Sequence, residues 1–197
     1  MKIKQVDNWD LIITPTRGYF EFHFNEIWNF RDLLLIFIRR DIITQYKQTI
    51  LGPLWIVIPP ILTALVFTIF FGNIACIPTD RIPSVLFYMA GIINWNFFST
   101  ALTSTSNTLA GNVGIFGKAY FPRIIVPLST IASSFLRYFI QFGIFLFILT
   151  YFFFFKSANF AIQYQLLWVL PMLIFIMAIM GLGFGLLFSA STAKYKD

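Results

Sequence analysis

Charged side chains are few in this chain. Only 11% of its 197 residues are Asp, Glu, Lys or Arg, where a soluble domain carries about 25%, so an ordinary water-surrounded domain is excluded. A single cysteine, Cys76, rules out an intrachain disulfide and a cysteine metal site. A single histidine, His23, leaves no histidine pair for metal binding or proton transfer. Carboxylates beside the apolar segments are equally sparse. Asp41 and Asp80 are not a general acid–base pair, and no Ser-His or Cys-His constellation exists. No catalytic residue, cofactor or metal ligand is therefore expected in this chain. A cleavable signal is not expected either, because Asp7, Asp10, Glu21 and Glu26 interrupt the first 26 residues, which hold no short apolar core.

What the chain has instead is hydrophobicity, 58% of its residues, with 26 phenylalanines. Lipid solvates such a surface where water would not. A bilayer core about 30 Å thick is crossed by roughly 20 helical residues, and the apolar runs at about 52–71, 84–103, 127–155 and 166–189 each suffice. Backbone groups in lipid must be satisfied within the segment, so these runs are helices. Orientation follows from the basic residues. Lys2, Lys4, Arg17, Arg31, Arg39, Arg40 and Lys47 precede the first run, Lys118 and Arg123 follow the second, and Lys194 and Lys196 follow the fourth. Only Arg81 and Lys156 fall on the other side, and Arg137 lies within a span. The positive-inside rule puts both ends of the chain in the cytoplasm. The net charge of +6 then reflects basic residues beside anionic lipid, and no nucleic-acid partner is expected.

The chain divides into a cytoplasmic segment, 1–51, and a transmembrane part, 52–197. Within the first, Phe30, Leu33, Leu34, Phe37 and Ile38 recur at helical spacing among Arg31, Asp32, Arg39, Arg40 and Asp41. This predicts an amphipathic helix in the interface plane with its apolar face in lipid; the alternative is a helix packed on the protein's own core. Residues 9–24, with Pro15 and Gly18, read as irregular or short extended structure. The third run is longer than a bilayer needs, so its beginning is expected to project from the membrane.

Several motifs invite a functional reading. The segment from Gly111 to Leu128 resembles a phosphate loop only superficially. Five residues separate Gly111 from the Gly117-Lys118 pair where such a loop has four, and Ala119 stands where it has Ser or Thr. Nucleotide chemistry is thus assigned to a partner. As a loop, the same segment is either a compact aromatic surface for a soluble partner or a plain connection resting on lipid. Ser129, Ser133, Arg137 and Gln141 fall four apart on the third span. Such a stripe either contacts a lipid-phosphate headgroup or lets Arg137 snorkel to the inner surface. Trp95, Phe97 and Phe98 form either a sugar-stacking surface or a lipid belt. Gly181, Gly183 and Gly185 include a pair four apart, which reads as helix packing.

The stretch RRDIITQYKQTILGPLW (39–55), FGNI at the end of the first run, NWNFFSTALTSTSN (94–107), GKAYFPRIIVPL and the closing STAKYKD together resemble the membrane subunit of polysaccharide-export ABC transporters. Asp41, Tyr46, Lys47, Gln48, Thr49, Leu51, Gly52 and Trp55 match that family's first motif, and Lys118, Tyr120, Phe121, Pro122 and Arg123 its second. Lys196 replaces an arginine in a third. The resemblance implies an all-α integral membrane fold, with an N-terminal amphipathic interface helix and four of an expected six spans, so that the chain reads as C-terminally incomplete. It implies a permease subunit in the cytoplasmic (inner) membrane of a bacterium, exporting a lipid-linked glycan of the O-antigen, capsule or teichoic-acid type. The implied partners are a second copy of the chain, membrane lipid and an ATP-binding subunit that holds ATP and magnesium. Gly111, Asn112, Phe116, Gly117, Lys118, Tyr120, Phe121, Pro122 and Arg123 become the element coupled to the ATPase. Arg39, Arg40, Asp41, Tyr46 and Lys47 mark the interface helix and substrate entry. Trp95, Phe97, Phe98, Ser133, Arg137 and Gln141 become a possible substrate path. Export of another amphipathic substrate and a truncated, non-transporting scaffold are the alternatives.

Overall fold

In a computed structural model, residues 28–46, 52–79, 82–112, 114, 121–155 and 168–194 are described. Their regular elements are all helical. Four are long and apolar enough to cross a membrane: Leu54–Ile74, Ser84–Ser106, Ile125–Phe154 and Val169–Thr192. A further helix, Arg31–Tyr46, precedes them and is called here the surface helix.

The first span is built around two prolines. It opens as a 3-10 turn, Gly52–Ile56, continues as α-helix from Ile58 to Phe67 and closes as a π-helical turn, Thr68–Ile74. Pro59 and Pro60 sit where a helix start tolerates them. They carry no N–H, so the carbonyl of Ile56 has no donor at the third or fourth residue ahead. Gln141 of the third span supplies one, its Nε2 donating to Ile56 O at 3.0 Å. At the far end the wide turn runs through Gly72 and Asn73, where the sequence suggested a stop, and Ala75 N bonds Phe70 O at 2.8 Å.

The second span is the hub: it packs on the first, third and fourth, whereas the third and fourth touch each other little. Its Met89, Ile92, Ile93 and Phe97 form the core with Ala64 of the first span, Ile131 and Tyr138 of the third, and Ile174 and Ala178 of the fourth. Tyr138 donates its hydroxyl to Asn94 Oδ1 at 3.2 Å, and Asn94 Nδ2 donates in turn to Ala90 O at 2.9 Å. A buried polar pair in an apolar core is tolerable because both members are satisfied this way. The fourth span meets the second through Ile174, Ala178, Gly181 and Gly185, a buried stripe at helical spacing. Of the three glycines singled out in the sequence, Gly181 and Gly185 lie in this contact. Gly183 faces open space.

The surface helix corrects one expectation. Phe30, Leu33, Leu34 and Phe37, read as a lipid-facing stripe, pack against Phe121, Ile125 and Val126 at the start of the third span. That stripe meets protein, which was the alternative weighed from the sequence. The long third helix, Ile125–Phe155, makes this possible, because its first turn provides a wall for the surface helix. Trp28, Leu35, Ile36 and Ile43 lie on other faces and are exposed.

The Gln141 bond gives a first testable consequence. Gln141→Leu leaves the Ile56 carbonyl without a donor in apolar surroundings, at a cost of about 1–3 kcal/mol. The purified variant is expected to melt below the wild type in the same detergent. Equal melting would show that another donor reaches Ile56.

Candidate functional site

A polar cavity of about 560 Å³ lies where the surface helix, the end of the second span and the beginning of the third converge. The surface helix contributes Arg40, Asp41 and Thr44; the second span contributes Ser104; the segment after it contributes Gly111 and Asn112; the third contributes Thr130 and Arg137. Arg40 reaches Asp41 Oδ1 with Nη2 at 2.8 Å and Nε at 3.0 Å. The Arg40 guanidinium also lies over the Phe37 ring, 4.8 Å from its centroid. Asp41 Oδ2 is buried and accepts no hydrogen bond. Arg137 donates through Nε to Ser133 O, a long bond at 3.3 Å. Two guanidinium groups and one carboxylate therefore line the cavity, which carries a positive excess.

Side chains of a helix lean toward its N-terminus, which for the third span is the end that carries the surface helix. Arg137 accordingly reaches the cavity beside Ser104, close to the last residue of the second span. Its neighbour Tyr138 pairs with Asn94, midway along the second span, so the Arg137 backbone sits at mid-height of the bundle while its side chain extends toward the cavity.

The polar stripe proposed for the third span is divided by the fold. Ser129 and Ser133 are buried, with hydroxyls donating to Val126 O and Ser129 O of their own helix at 2.8 and 2.9 Å. Arg137 faces the cavity, and Gln141 is held by Ile56. Of the set, Arg137 alone lines that cavity.

The aromatic cluster of the second span is divided as well. Phe97 is 3% exposed, with its ring 4.9 Å from that of Phe135 and 5.2 Å from that of Tyr138. It is a core residue, since a helix cannot turn three neighbouring side chains to one face. Trp95 is 65% exposed, and its ring lies 6.1 Å from that of Phe98. Trp95 also borders an apolar cavity of about 820 Å³ among the first three spans, near the end opposite the surface helix, together with Phe67, Leu86, Tyr88 and Phe145.

In the expected coupling element, Phe121 is buried against Phe37, their rings 5.8 Å apart. It serves as a seat for the surface helix rather than as an outward anchor. Pro122 O accepts from Ile125 N at 3.0 Å and starts the third span, with Arg123 exposed beside it. Gly111 closes a short helix, and Asn112 Nδ2 donates to Thr108 O at 2.9 Å. Phe116, Gly117, Lys118, Tyr120 and Lys47 lie outside the described residues. Arg39 is exposed on the surface helix, and Tyr46 ends that helix.

Thr44, Ser104 and Thr130 were not singled out in the sequence. The run of Ser and Thr that closes the second span was visible, but no spacing rule joins it to a helix about 60 residues earlier.

The ABC-2 type transporter family model matches residues 32–197. The O-antigen export system permease protein RfbA of Klebsiella pneumoniae is 25% identical over 167 residues, which are 84% of this chain and 61% of that protein. A protein of the same name from Myxococcus xanthus is 26% identical over 110 residues, 55% of this chain and 41% of the relative. The chain thus spans about three-fifths of the length of the first of these relatives. Its all-helical, multi-pass membrane architecture and the family match over most of its length together show that the chain belongs to the ABC-2 type transporter family.

Proposed function

We propose that this chain is the permease subunit of an ATP-driven exporter that moves a lipid-linked polysaccharide of the O-antigen, capsule or teichoic-acid type across the cytoplasmic membrane of a bacterium. The observation that carries the reading is the similarity over 167 residues to a permease named for O-antigen export. The chain has no phosphate-loop spacing, so ATP and magnesium belong to a separate ATP-binding subunit. A second copy of the chain would complete the path, and the basic bias places both ends and the polar cavity on the cytoplasmic side. A polymer on a lipid carrier presents a polar, phosphate-bearing head and an apolar tail. Arg39, exposed on the surface helix, suits the head at the membrane surface, while Trp95 and Phe98 offer rings on which sugars could stack.

Coupling to the ATPase is assigned to Gly111, Asn112, Phe116, Gly117, Lys118, Tyr120, Pro122 and Arg123, with Phe121 holding the element against the surface helix. Aromatic side chains on a short, glycine-flanked segment fill partner pockets well. Photo-crosslinking from Lys118 to a co-expressed ATP-binding subunit tests this, with Lys156 as the negative control. A crosslink is expected at Lys118 only. Phe116→Ala with Tyr120→Ala should leave membrane insertion intact and weaken association with the ATPase. Crosslinks from other basic-side positions but never from Lys118 would overturn the assignment.

A further inference from the structure

The polar cavity holds two opposite groups, each incompletely satisfied, on elements far apart in the sequence. Asp41 of the surface helix gives one carboxylate oxygen to Arg40, while Oδ2, shielded from water, accepts nothing. An oxygen shielded from water and left without a donor is costly even on a partly exposed side chain, and native proteins rarely leave one. Across the cavity, Arg137 makes a single long bond through Nε, and its terminal nitrogens have no partner among the described residues. The cavity wall thus holds an acceptor that lacks a donor, closed off from the open space as the side chain stands, and a forked donor that lacks an acceptor.

A simple anion would answer Arg137, but it would leave Asp41 Oδ2 empty and bring negative charge toward a carboxylate. A simple cation reverses the fault. A group that carries both a protonated amine and a phosphate answers both. The carboxylate torsion of Asp41 is soft, so a modest rotation presents Oδ2 to a donor entering the cavity. The volume, about 560 Å³, lies within the usual range of ligand sites, roughly 300–1,000 Å³. Leu136 and Ile140, four apart on one face of the third span beside Arg137, are exposed apolar side chains that acyl chains can follow.

We propose that this cavity binds the headgroup of an ethanolamine phospholipid, with its ammonium on Asp41 and its phosphate on Arg137. Thr44 and Ser104 line the space between and offer hydroxyls to the remaining phosphate oxygens. The bound lipid bridges the surface helix to the third span. The site requires an N–H on the ammonium, because a trimethylated nitrogen cannot donate to a carboxylate. It is a resident-lipid site, independent of which polymer is exported.

The test uses the full chain, purified and delipidated in detergent. It is titrated with short-chain phosphatidylethanolamine, the mono- and dimethylated forms, phosphatidylcholine and phosphatidylglycerol, all with the same acyl chains. Native mass spectrometry reads the lipid retained. Phosphatidylethanolamine should bind about tenfold more tightly than phosphatidylcholine or phosphatidylglycerol, the size expected for one hydrogen bond to a charged group. Retention should fall at the last methylation, when the final N–H is lost. Asp41→Asn should remove the preference for ethanolamine over choline, and Arg137→Gln should weaken all the phospholipids. Should Asp41→Asn fail to fold, the methylation series on the wild-type chain still decides. Phosphatidylglycerol binding as well as phosphatidylethanolamine would show an anion site only. Equal binding of all the lipids would show acyl-chain contact only. Either outcome overturns the proposal, while the Lys118 crosslink to an ATP-binding subunit is untouched by it.

Discussion

Replacing Gly185 with leucine is expected to part the fourth span from the second. A Cβ built at Gly185 would lie 2.5 Å from Thr105 Cβ, 2.8 Å from Thr105 Cγ2 and 3.2 Å from the carbonyl oxygen of Leu102. Carbon atoms rest about 3.5–4.0 Å apart, and the obstacle is a short β-branched side chain together with backbone, neither of which can swing aside. Lipid contributes no hydrophobic drive between helices, so association depends on close approach. Overpacking here should cost about 1–3 kcal/mol or more. Gly181→Ala should be milder, because its Cβ would meet Ala101 Cβ at 3.0 Å. Gly183→Ala, whose Cβ meets nothing within 4 Å, should leave the melting temperature unchanged or slightly raised by the better helix propensity of alanine. Thermal unfolding of these variants in one detergent orders them. A Gly185→Leu protein that melts with the wild type would refute the observed pairing of the second and fourth spans.

Phe37→Ala is expected to release the surface helix without unfolding the spans. Phe37 is 6% exposed, packs with Phe121, Ile125 and Val126, and lies under the Arg40 guanidinium. Truncating a buried phenylalanine typically costs about 3–5 kcal/mol, and the cation–π contact adds roughly 0.5–1 kcal/mol where it is partly exposed. The loss is borne by one helix that is joined to the bundle by few contacts of comparable size. Amide exchange measured by mass spectrometry should therefore accelerate across 31–46 and remain unchanged in the second span. Leu35→Ala, on an exposed face of the same helix, is the matched control and should alter neither. Unchanged exchange in Phe37→Ala would mean that the helix is held elsewhere. Because Arg40 and Asp41 ride on this helix, the same substitution should also disturb the polar cavity.

Much of this architecture is legible one segment at a time. A run of twenty apolar residues can satisfy its backbone in lipid only as a helix. The four spans were therefore evident, and the observed bounds differ from the expected ones by three residues or fewer at their ends. The surface helix was legible too, from its mixed composition. Phe116, Gly117, Lys118 and Tyr120, proposed for coupling, lie outside the described part of the chain, and that proposal rests on motif resemblance.

The faces were not legible in the same way. Hydropathy measures how a residue is solvated, and in lipid the sides of an apolar helix are solvated almost alike. Insertion is therefore specified residue by residue, but the neighbour of each face is not. Three identical glycines at 181, 183 and 185 become two contacts and one open position only when Ala101 and Thr105 are brought against them. Gln141 resembled part of a polar path until the prolines at 59 and 60 left Ile56 O needing a donor. Phe121 resembled a partner anchor until Phe37 closed on it. The sequence by itself determined a helical membrane protein with one basic end, because local composition settles which segments lipid will accept. Tertiary structure alone decided the packing stripe, the seat of the surface helix and the cavity shared by Asp41 and Arg137. Those depend on steric size and single hydrogen bonds between residues far apart in the chain, which no local pattern encodes.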